Sequence, residues 1–377
     1  MKIAFDLRRI KNPGIGRYMK CLAEAILARA PEHEYLLIVP PEGAGIIHGA
    51  DGRVEEIVSR LKYYSIREQL ELPGLLRRHK VDLLHSPHFN LPLASSCRVI
   101  ATLHDVIYLA CPEDLPSRLG RAYYRAMMEA AVRRADRIIT VSEFSRGEIQ
   151  RYLHAGNKEV EVIHSGIDPQ FAQIDGPAQV QQVLGRLGIT GDYVFYTGIY
   201  KPRKNHAGLI RAFARMLSRS IQAQLVIAGP LGEGERELEA LAAGLGIAGQ
   251  VVFTGFVEDH ELRGLYSGAR VYACPSLYEG FGFTVLEAMT CGTPVVSSAE
   301  TSLAEVAGKA PLYADARNAE EFGAALYRAF TDTALRERAI AAGKENLLRF
   351  SWKEAAERTL RVYERAMGTA LQGAAHA

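Results

Sequence analysis

Two glutamates, Glu279 and Glu287, lie eight positions apart in the stretch SLYEGFGFTVLEAMTCGTPVVSS, residues 276–298. Between them, Gly280 and Gly282 allow the backbone to turn tightly. The apolar run FTVLEAM that follows the turn predicts the start of a helix. Acidic groups on both sides of such a turn suggest a site for a ligand that carries hydroxyl groups and an anion.

The first N–H groups of a helix lack internal partners and carry partial positive charge. We therefore predict that the amides of Phe283, Thr284 and Val285 bind a phosphate. Glu287, expected near the first turn of this helix, would accept hydrogen bonds from a ribose diol, or would simply complement the helix dipole. Glu279 is placed to bind sugar hydroxyls, and its alternative is an ordinary surface glutamate.

Two adjacent cations, Arg203 and Lys204, follow the strand-like segment YVFYTGI and precede a helical pattern. Arginine binds phosphate through two parallel hydrogen bonds and lysine acts as a point charge, so the pair could neutralise a diphosphate. The alternative is a pair of solvated surface cations.

A second glycine turn, PGIGRY at residues 13–18, precedes a helical pattern and could present amides near Gly14 and Gly16 to phosphate or sugar. It does not complete a dinucleotide fingerprint, because Met19 occupies the position of the third glycine. No acidic residue closes the next strand, YLLIVPP, as ribose binding would require. A nicotinamide dehydrogenase is therefore disfavoured.

Histidines follow two neighbouring strands of the first half. His104 ends RVIATLH, at an edge where functional side chains gather, although a buried structural histidine is the alternative. His85, His88 and Asn90 in HSPHFNLP could line an acceptor pocket. A metal site at His85 and His88 is disfavoured because no further convergent ligand is discernible.

Composition bounds the class of protein. The 377 residues, 48% of them hydrophobic, suit two domains. The five scattered cysteines contain no CxxC pair and are expected to be buried in a reducing cytoplasm. The first residues enter a strand pattern directly and no apolar run approaches the length of about 18 residues of a membrane span, so we expect neither secretion nor integral membrane insertion.

The net charge of +2 is small, with a mild basic excess in the first half that could face an anionic membrane or a phosphorylated acceptor, or be ordinary surface. Residues 63–80 and 118–137 mix arginines with apolar side chains at helical spacing. Such segments suit a membrane interface, and core-facing helices with solvated arginines are the alternative. Nucleic acid is not an expected partner.

Short β-branched runs alternate with helical patterns throughout, which predicts an α/β protein with parallel sheets. The pattern restarts near residue 193, so we expect an N-terminal domain at 1–168 and a C-terminal domain at 169–351. The join falls within residues 164–180, where glycines and a proline interrupt both periods. Two such lobes would place a ligand cleft between them.

The span 276–298 resembles the E-x7-E signature of retaining glycosyltransferases of family 4, with Glu279 and Glu287 as its glutamates. Further matching pieces occur in the family's order: PGIGRY, TLHDV, TVSEFSR, HSGID and PRKN. One departure is Ile199, where many relatives have an arginine. That leaves Arg203 and Lys204 as the cations for the leaving group.

The resemblance implies a GT-B fold, in which two Rossmann-like domains face each other across an interdomain cleft. The N-terminal domain would bind the acceptor, the C-terminal domain would bind the nucleotide-sugar donor, and a last helix, 352–371, would pack back on the first domain. The resemblance also implies transfer of a hexose, with retention of configuration, from a nucleotide-sugar donor to a saccharide or lipid-linked acceptor. The chain has no Asp-x-Asp pair, so we expect neither a metal nor another cofactor. The form of PRKN resembles bacterial mannosyltransferases of surface polysaccharides, which makes GDP-mannose the first expectation over UDP, dTDP or ADP sugars.

By the same resemblance, Glu279 would orient the donor sugar, Glu287 would bind the ribose, and His104 would act at the sugar from the other lobe. The base would lie near Val257 in TGFVEDHEL. A cytoplasmic enzyme, peripheral at the inner face of the cell membrane through its N-terminal domain, is expected. A nucleotide-sugar 2-epimerase of the same fold and a binding protein without activity remain the alternatives.

Overall fold

The computed structural model describes residues 1–47, 52–156, 158–174 and 176–368. The chain divides into two compact units. The first comprises Met1–Gly166 together with the chain from Phe350 onward, and the second is Ile167–Arg349. The chain thus leaves the first unit at Gly166, inside the interrupted segment 164–180, and returns to it for the last helix.

The strands of the described residues, in chain order, are β1 Lys2–Asp6, β2 Glu34–Val39, β3 Val54–Val58, β4 Leu83–Ser86, β5 Arg98–Thr102, β6 Arg137–Thr140, β7 Val160–Val162, β8 Tyr193–Thr197, β9 Gln224–Ala228, β10 Val251–Gly255, β11 Val271–Cys274, β12 Val295–Ser297 and β13 Leu312–Tyr313.

The α-helices are α1 Ile15–Arg29, α2 Ile66–Arg78, α3 Ile107–Ala110, α4 Arg118–Arg134, α5 Glu143–Tyr152, α6 Pro177–Arg186, α7 His206–Leu217, α8 Gly234–Gly244, α9 Asp259–Gly268, α10 Phe283–Thr290, α11 Ser302–Ala307, α12 Ala319–Thr331, α13 Thr333–Leu347 and α14 Trp352–Met367.

The first unit contains a parallel sheet of order β3-β2-β1-β4-β5-β6-β7. Its central strands are almost wholly buried, as expected when helices cover both faces of a parallel sheet. The sequence pattern did not reveal β3, because the edge strand VEEIV is mostly exposed and carries two glutamates. The strand order reverses between β1 and β4. The chain passes from β1 to β2 on one side of this point and from β4 to β5 on the other.

Helix α14 packs against α1 in the first unit. The Tyr363 hydroxyl lies 2.6 Å from Nδ1 of His85, whose Nε2 lies 2.8 Å from the Thr102 hydroxyl. The Arg358 guanidinium donates to the Val162 carbonyl at 2.6 Å. The last helix therefore supplies buried polar partners to β4 and to the strand β7 at the sheet edge.

The second unit contains a parallel sheet of order β10-β9-β8-β11-β12-β13, with α12 packed on α7. Strand β13 has two residues, too few for its period to be recognised from sequence. Order again reverses, here between β8 and β11. The two units are therefore built alike, as the restart of the sequence pattern predicts.

All five cysteines are buried and carry free thiols, which confirms their predicted place as small core residues. Within the described part of the chain, no helix combines the length and the apolar character needed to cross a bilayer.

Candidate active site

Three of the polar side chains predicted in the second unit, Arg203, Lys204 and Glu279, meet where its strand order reverses. A parallel sheet leaves a crevice at this point, outside the carboxyl ends of its strands. The turn Pro202–Lys204 follows β8, and the loop 275–282 follows β11, the strand next to β8. Arg203, Lys204 and Glu279 therefore come from neighbouring strand ends.

Lys204 and Glu279 form the central contact of this crevice. The lysine Nζ donates to Glu279 Oε1 at 2.5 Å, and Arg203 Nη1 lies 3.7 Å from Oε2. The three side chains are 11–13% exposed, so the glutamate is not an ordinary surface residue. Burial raises the pKa of Glu279, but the charges of Lys204 and Arg203 outweigh it and hold the pKa below its ordinary value. The carboxylate is thus ionised at neutral pH.

Backbone and side-chain bonds hold the two loops together. The Leu277 amide donates to the Arg203 carbonyl at 2.7 Å, and Arg203 Nη1 lies 3.3 Å from the Tyr278 carbonyl. The buried Tyr196 hydroxyl donates to the Lys204 carbonyl at 3.1 Å. These hydrogen bonds therefore fix the turn that carries Arg203 and Lys204.

Thr301 and Ser302, at the start of α11, form hydrogen bonds with the backbone of Glu279. The Glu279 amide donates to the Thr301 hydroxyl at 3.1 Å, and the Ser302 hydroxyl donates to the Glu279 carbonyl at 2.9 Å. Thr301 has a φ of 59°, which is a genuine outlier for a β-branched residue. Sequence reasoning missed both residues; the signal available was their position just beyond the last buried strand segment, PVVSS.

Helix α10 begins at Phe283, as predicted, with Gly282 as its N-cap at a φ of 98°. A Cβ at Gly282 would lie 2.7 Å from Leu303 Cδ2, so both backbone angle and space call for glycine. Phe283, Thr284 and Val285 form the first turn of this helix, where amides point out of the helix end. The Val285 amide donates to the Gly282 carbonyl at 3.2 Å, so the prediction that this amide faces a phosphate is wrong, and the anion role falls to Phe283 and Thr284.

Glu287 is the fifth residue of α10. It therefore lies just beyond the first turn, where the sequence predicts it. It is 4% exposed, and its Oε2 accepts a hydrogen bond from the Tyr266 hydroxyl at 2.9 Å. The dipole explanation for this glutamate therefore loses its basis, because the effect is confined to the first turn. A buried carboxylate held by tyrosine is instead a fixed acceptor.

Val257, in the loop after β10, and Ile199, in the connection after β8 that also carries Arg203, lie at the same sheet edge. Val257 is 9% exposed and follows β10, while the preceding residue, Phe256, is 68% exposed. Ile199, at the position where many relatives have arginine, is 38% exposed after β8. Phe256 was not singled out from sequence, although it is the aromatic residue of the TGFVEDHEL segment.

Gly14 and Gly16 belong to the first unit, and the structure corrects the expectation for Gly16. Its amide donates to the Asn12 carbonyl at 2.8 Å, so the chain itself uses the group that was predicted to face a ligand. A Cβ at Gly16 would lie 2.1 Å from the Ile10 carbonyl oxygen. Gly16 is therefore required for close backbone approach, and Gly14 for its φ of 74° at the N-cap of α1.

His104 follows β5 in the first unit, and its ring packs edge-on against Tyr18 at 4.6 Å. Burial lowers its pKa to about 4, despite a hydrogen bond with the Pro87 backbone that acts in the opposite direction. Its Nε2 is shielded from solvent and finds no partner among the described residues. His104 is therefore a neutral imidazole at pH 7 with one unsatisfied nitrogen.

His85 and His88 do not form a pair of metal ligands. Both ring nitrogens of His85 are engaged by Tyr363 and Thr102, and burial lowers its pKa to about 3. His88 Nδ1 accepts a hydrogen bond from the Asn90 amide at 3.1 Å. His85 thus acts as a structural residue that joins α14 to the sheet.

Two family models match the chain. The model described as "Glycosyltransferase Family 4" matches residues 13–171, and the one described as "Glycosyl transferases group 1" matches residues 187–346. The chain belongs to this glycosyltransferase family.

Named relatives agree with this assignment. The O-antigen chain mannosyltransferase B of Escherichia coli is 32% identical and aligns over 97% of this chain and 100% of its own length. The serotype-specific mannosyltransferase WbdA of the same organism is 29% identical over 74% of this chain, and the match spans about a third of WbdA, 34%.

Among solved structures, HepE from Anabaena in complex with UDP-glucose matches with a TM-score of 0.77 at 20% identity. The match covers 97% of this chain and 100% of HepE. The two parallel α/β sheets and this likeness show that the chain has the GT-B fold. The family models and the named relatives show that it is a glycosyltransferase homologous to mannosyltransferases of O-antigen synthesis.

Gly282→Ala tests how strictly the turn before α10 is specified. We expect the free energy of unfolding to fall by about 1–3 kcal/mol, because alanine meets a left-handed backbone and the Leu303 side chain. Thermal and denaturant unfolding measure the loss. The matched control is Gly249→Ala, where φ is not left-handed and no atom lies within 4 Å of an added Cβ. Equal stability of the two variants would contradict this account of the turn.

Proposed function

We propose that the protein is a retaining, metal-independent mannosyltransferase that moves mannose from GDP-mannose to a saccharide or lipid-linked acceptor in surface polysaccharide synthesis. The main support for this proposal is the ion pair of Lys204 with Glu279, at 2.5 Å. Arg203 lies in the same turn as Lys204, and the loop of Glu279 leads into the N-terminus of α10. These contacts support the proposal that an anion site and a sugar-binding carboxylate lie at one sheet edge.

The leaving diphosphate would be stabilised by Lys204, Arg203 and the amides of Phe283 and Thr284 at the start of α10. An ammonium group has three donors, so Lys204 can bind a phosphate oxygen while it still binds Glu279. Fixed donors aimed at developing charge lower the barrier without reorganisation during the reaction. This arrangement supports metal independence because three positive or partly positive groups converge on the diphosphate.

Glu279, held ionised and in place by its two cations, would accept hydrogen bonds from donor-sugar hydroxyls. Glu287, fixed by the Tyr266 hydroxyl, would accept the ribose diol. The acceptor hydroxyl would attack from the face that the diphosphate leaves, and a diphosphate oxygen would take its proton, which retains the configuration. Catalysis would then rest on positioning and charge stabilisation.

The choice of mannose rests on the two relatives from Escherichia coli, both of which are named as mannosyltransferases. The HepE complex contains UDP-glucose, and at 20% identity that likeness supports the fold alone. A 2-epimerase would need an acid and a base on the sugar ring. Glu279 is a poor candidate, because its lowered pKa makes it a weak base.

A panel of nucleotide sugars tests the proposed reaction. With an α-mannoside acceptor, GDP-mannose should give nucleoside diphosphate and an α-linked product, and EDTA should leave the rate within about twofold. Product linkage is read by NMR and diphosphate release by a coupled assay. Conversion of the sugar without lasting release would indicate an epimerase, and ligand-dependent melting without any turnover would indicate a binding protein.

Lys204→Ala and Glu287→Ala should fail in different ways. Loss of Lys204 removes charge stabilisation that grows as the diphosphate leaves, so kcat should fall about 100-fold or more with a smaller effect on GDP affinity. Loss of Glu287 removes a ground-state contact to the ribose, so GDP affinity should fall about tenfold or more. Steady-state kinetics and calorimetric titration with GDP separate the two. A fully active Lys204→Ala, or unchanged GDP affinity in Glu287→Ala, would refute the respective role.

We also propose peripheral contact of the first unit with an anionic membrane through an apolar face formed by Ile66, Leu70, Leu93 and Leu119. Three of these side chains are 72–84% exposed and Leu93 is 36% exposed. Gln69 joins α2 to the loop of Leu93 through hydrogen bonds of 3.0 and 3.1 Å. The two helices that carry Ile66, Leu70 and Leu119 also carry arginines, as suits anionic lipid.

Vesicle flotation tests this contact. The protein should float with phosphatidylglycerol vesicles, and Ile66→Ser with Leu70→Ser should reduce the bound fraction about tenfold, since apolar burial contributes most of the affinity. Leu348→Ser is the matched control, because Leu348 is 84% exposed on the second unit. Equal flotation of all three proteins would contradict the proposed face.

A further inference from the structure

Groups from three adjacent strand ends meet at Glu279. The sheet of the second unit has the order β8-β11-β12 at this place, and the loop 275–282, which carries Glu279, follows the middle strand. The turn Pro202–Lys204 after β8 binds its carboxylate, and the connection 298–302 after β12 binds its backbone. The proposed mechanism uses the carboxylate contacts, whereas the connection after β12 has no part in it.

Two hydroxyl groups of this connection hold the amide and the carbonyl of Glu279. The Thr301 hydroxyl accepts a hydrogen bond from the Glu279 amide at 3.1 Å. The fully buried Ser302 hydroxyl lies 2.9 Å from the Glu279 carbonyl and 3.1 Å from the Phe281 carbonyl. One hydroxyl hydrogen is therefore shared between two carbonyls of the same loop. These contacts fix the direction in which the Glu279 side chain leaves the loop.

Thr301 adopts a backbone conformation that its side chain disfavours. Its φ is 59° and its ψ is −140°, a combination that glycine adopts without steric cost and a β-branched residue does not. Before it, the Ser298 hydroxyl donates to the Ser276 carbonyl at 2.5 Å. After it, the Leu303 amide donates to the Glu300 carbonyl at 3.2 Å. Backbone strain persists where the surroundings enforce it, and it concentrates at functional sites.

The hydroxyl of Thr301 accounts for a strained residue at this position. A glycine here would relieve the strain, and it would also remove the oxygen that accepts from the Glu279 amide. Lys204 holds the other end of Glu279, with 2.5 Å between Nζ and Oε1. Glu279 is thus fixed at its backbone by one strand end and at its carboxylate by another. Functional side chains need such support, because they must lie within about 0.5 Å of the productive geometry.

We propose that Thr301 is a positioning residue of the transfer reaction, whose hydroxyl directs the Glu279 carboxylate at the hydroxyl groups of the donor sugar. Ser302 assists from the carbonyl side of Glu279. Neither side chain is assigned a contact with the substrate, so both act through Glu279. The inference rests on the proposed function, since it requires that Glu279 binds the donor sugar.

Thr301→Val and Thr301→Ser form a matched pair that tests this role. Valine keeps the branched shape and removes the acceptor, so kcat with GDP-mannose should fall about tenfold or more. The affinity for GDP, which lacks the sugar, should stay within about twofold. Serine keeps the hydroxyl and should recover most of the lost kcat. Steady-state kinetics measure the turnover, and calorimetric titration measures GDP binding.

Thr301→Gly separates positioning from stability. Relief of the strain should offset the lost hydrogen bond and the entropic cost of glycine, so the melting temperature should stay within about 3 °C of the native value. Its kcat should nevertheless fall as far as that of Thr301→Val, and a general loss of structure cannot explain a fall at unchanged melting temperature. Ser220→Gly is the matched control and should keep the native kcat, because Ser220 is an exposed residue of the second unit with a φ of 60°.

Native turnover in Thr301→Val would overturn the role of Thr301, as would an equal loss of turnover in Thr301→Ser. A fall in GDP affinity that matches the fall in kcat would also overturn it, because the defect would then not be confined to the sugar. If Thr301→Gly melts early, Thr301→Val and Thr301→Ser decide alone.

Failure of the proposed function looks different. The native chain would then release no diphosphate from any nucleotide sugar, whatever Thr301→Val does. Titration without acceptor would still decide the positioning role, since Thr301→Val should weaken binding of GDP-mannose about tenfold and leave GDP binding unchanged. Equal affinity of Thr301→Val and the native chain for GDP-mannose would refute it.

Discussion

The reversal of strand order in each parallel sheet is the constraint from which the rest of this structure follows. Where order reverses, the connections from two neighbouring strands leave to opposite sides and open a crevice at their carboxyl ends. In the second unit this crevice lies between β8 and β11, and in the first between β1 and β4. Charged side chains gather at both points because their loops leave the sheet there.

Each crevice contains charges that are poorly solvated, and this has an energetic consequence. Burial of an ion pair removes both ions from water, and the attraction between them repays that cost only with excellent geometry. Lys204 with Glu279, and Arg8 with Asp6 and Glu68, are therefore weak evidence for stability. Buried charged groups of this kind are preorganised, and a preorganised group needs no further ordering when a ligand binds.

The sequence predicts most of the sheets because buried parallel strands read as continuous apolar runs between helical periods. It fails where that contrast is weak, at the exposed edge strand β3 and at the two-residue β13.

The glutamates of the E-x7-E segment and the cations of PRKN could be singled out because their turn chemistry is local. Thr301 and Glu68 could not, because their partners Glu279 and Arg8 are distant in sequence and meet them through packing alone. The sequence also shows the glycine motif around Gly16. It does not show that the Gly16 amide donates to the Asn12 carbonyl, because that hydrogen bond depends on the path of the preceding loop.

Three histidines of the first unit are neutral. His85, His88 and His104 all have a lowered pKa, and burial is the largest cause in each. A protonated ring beside Arg8 and Arg9 would add a third positive charge to a network with two carboxylates, and it would favour anions there. A neutral imidazole can still accept one hydrogen bond and donate another. These histidines thus keep this sheet edge polar without adding positive charge to it.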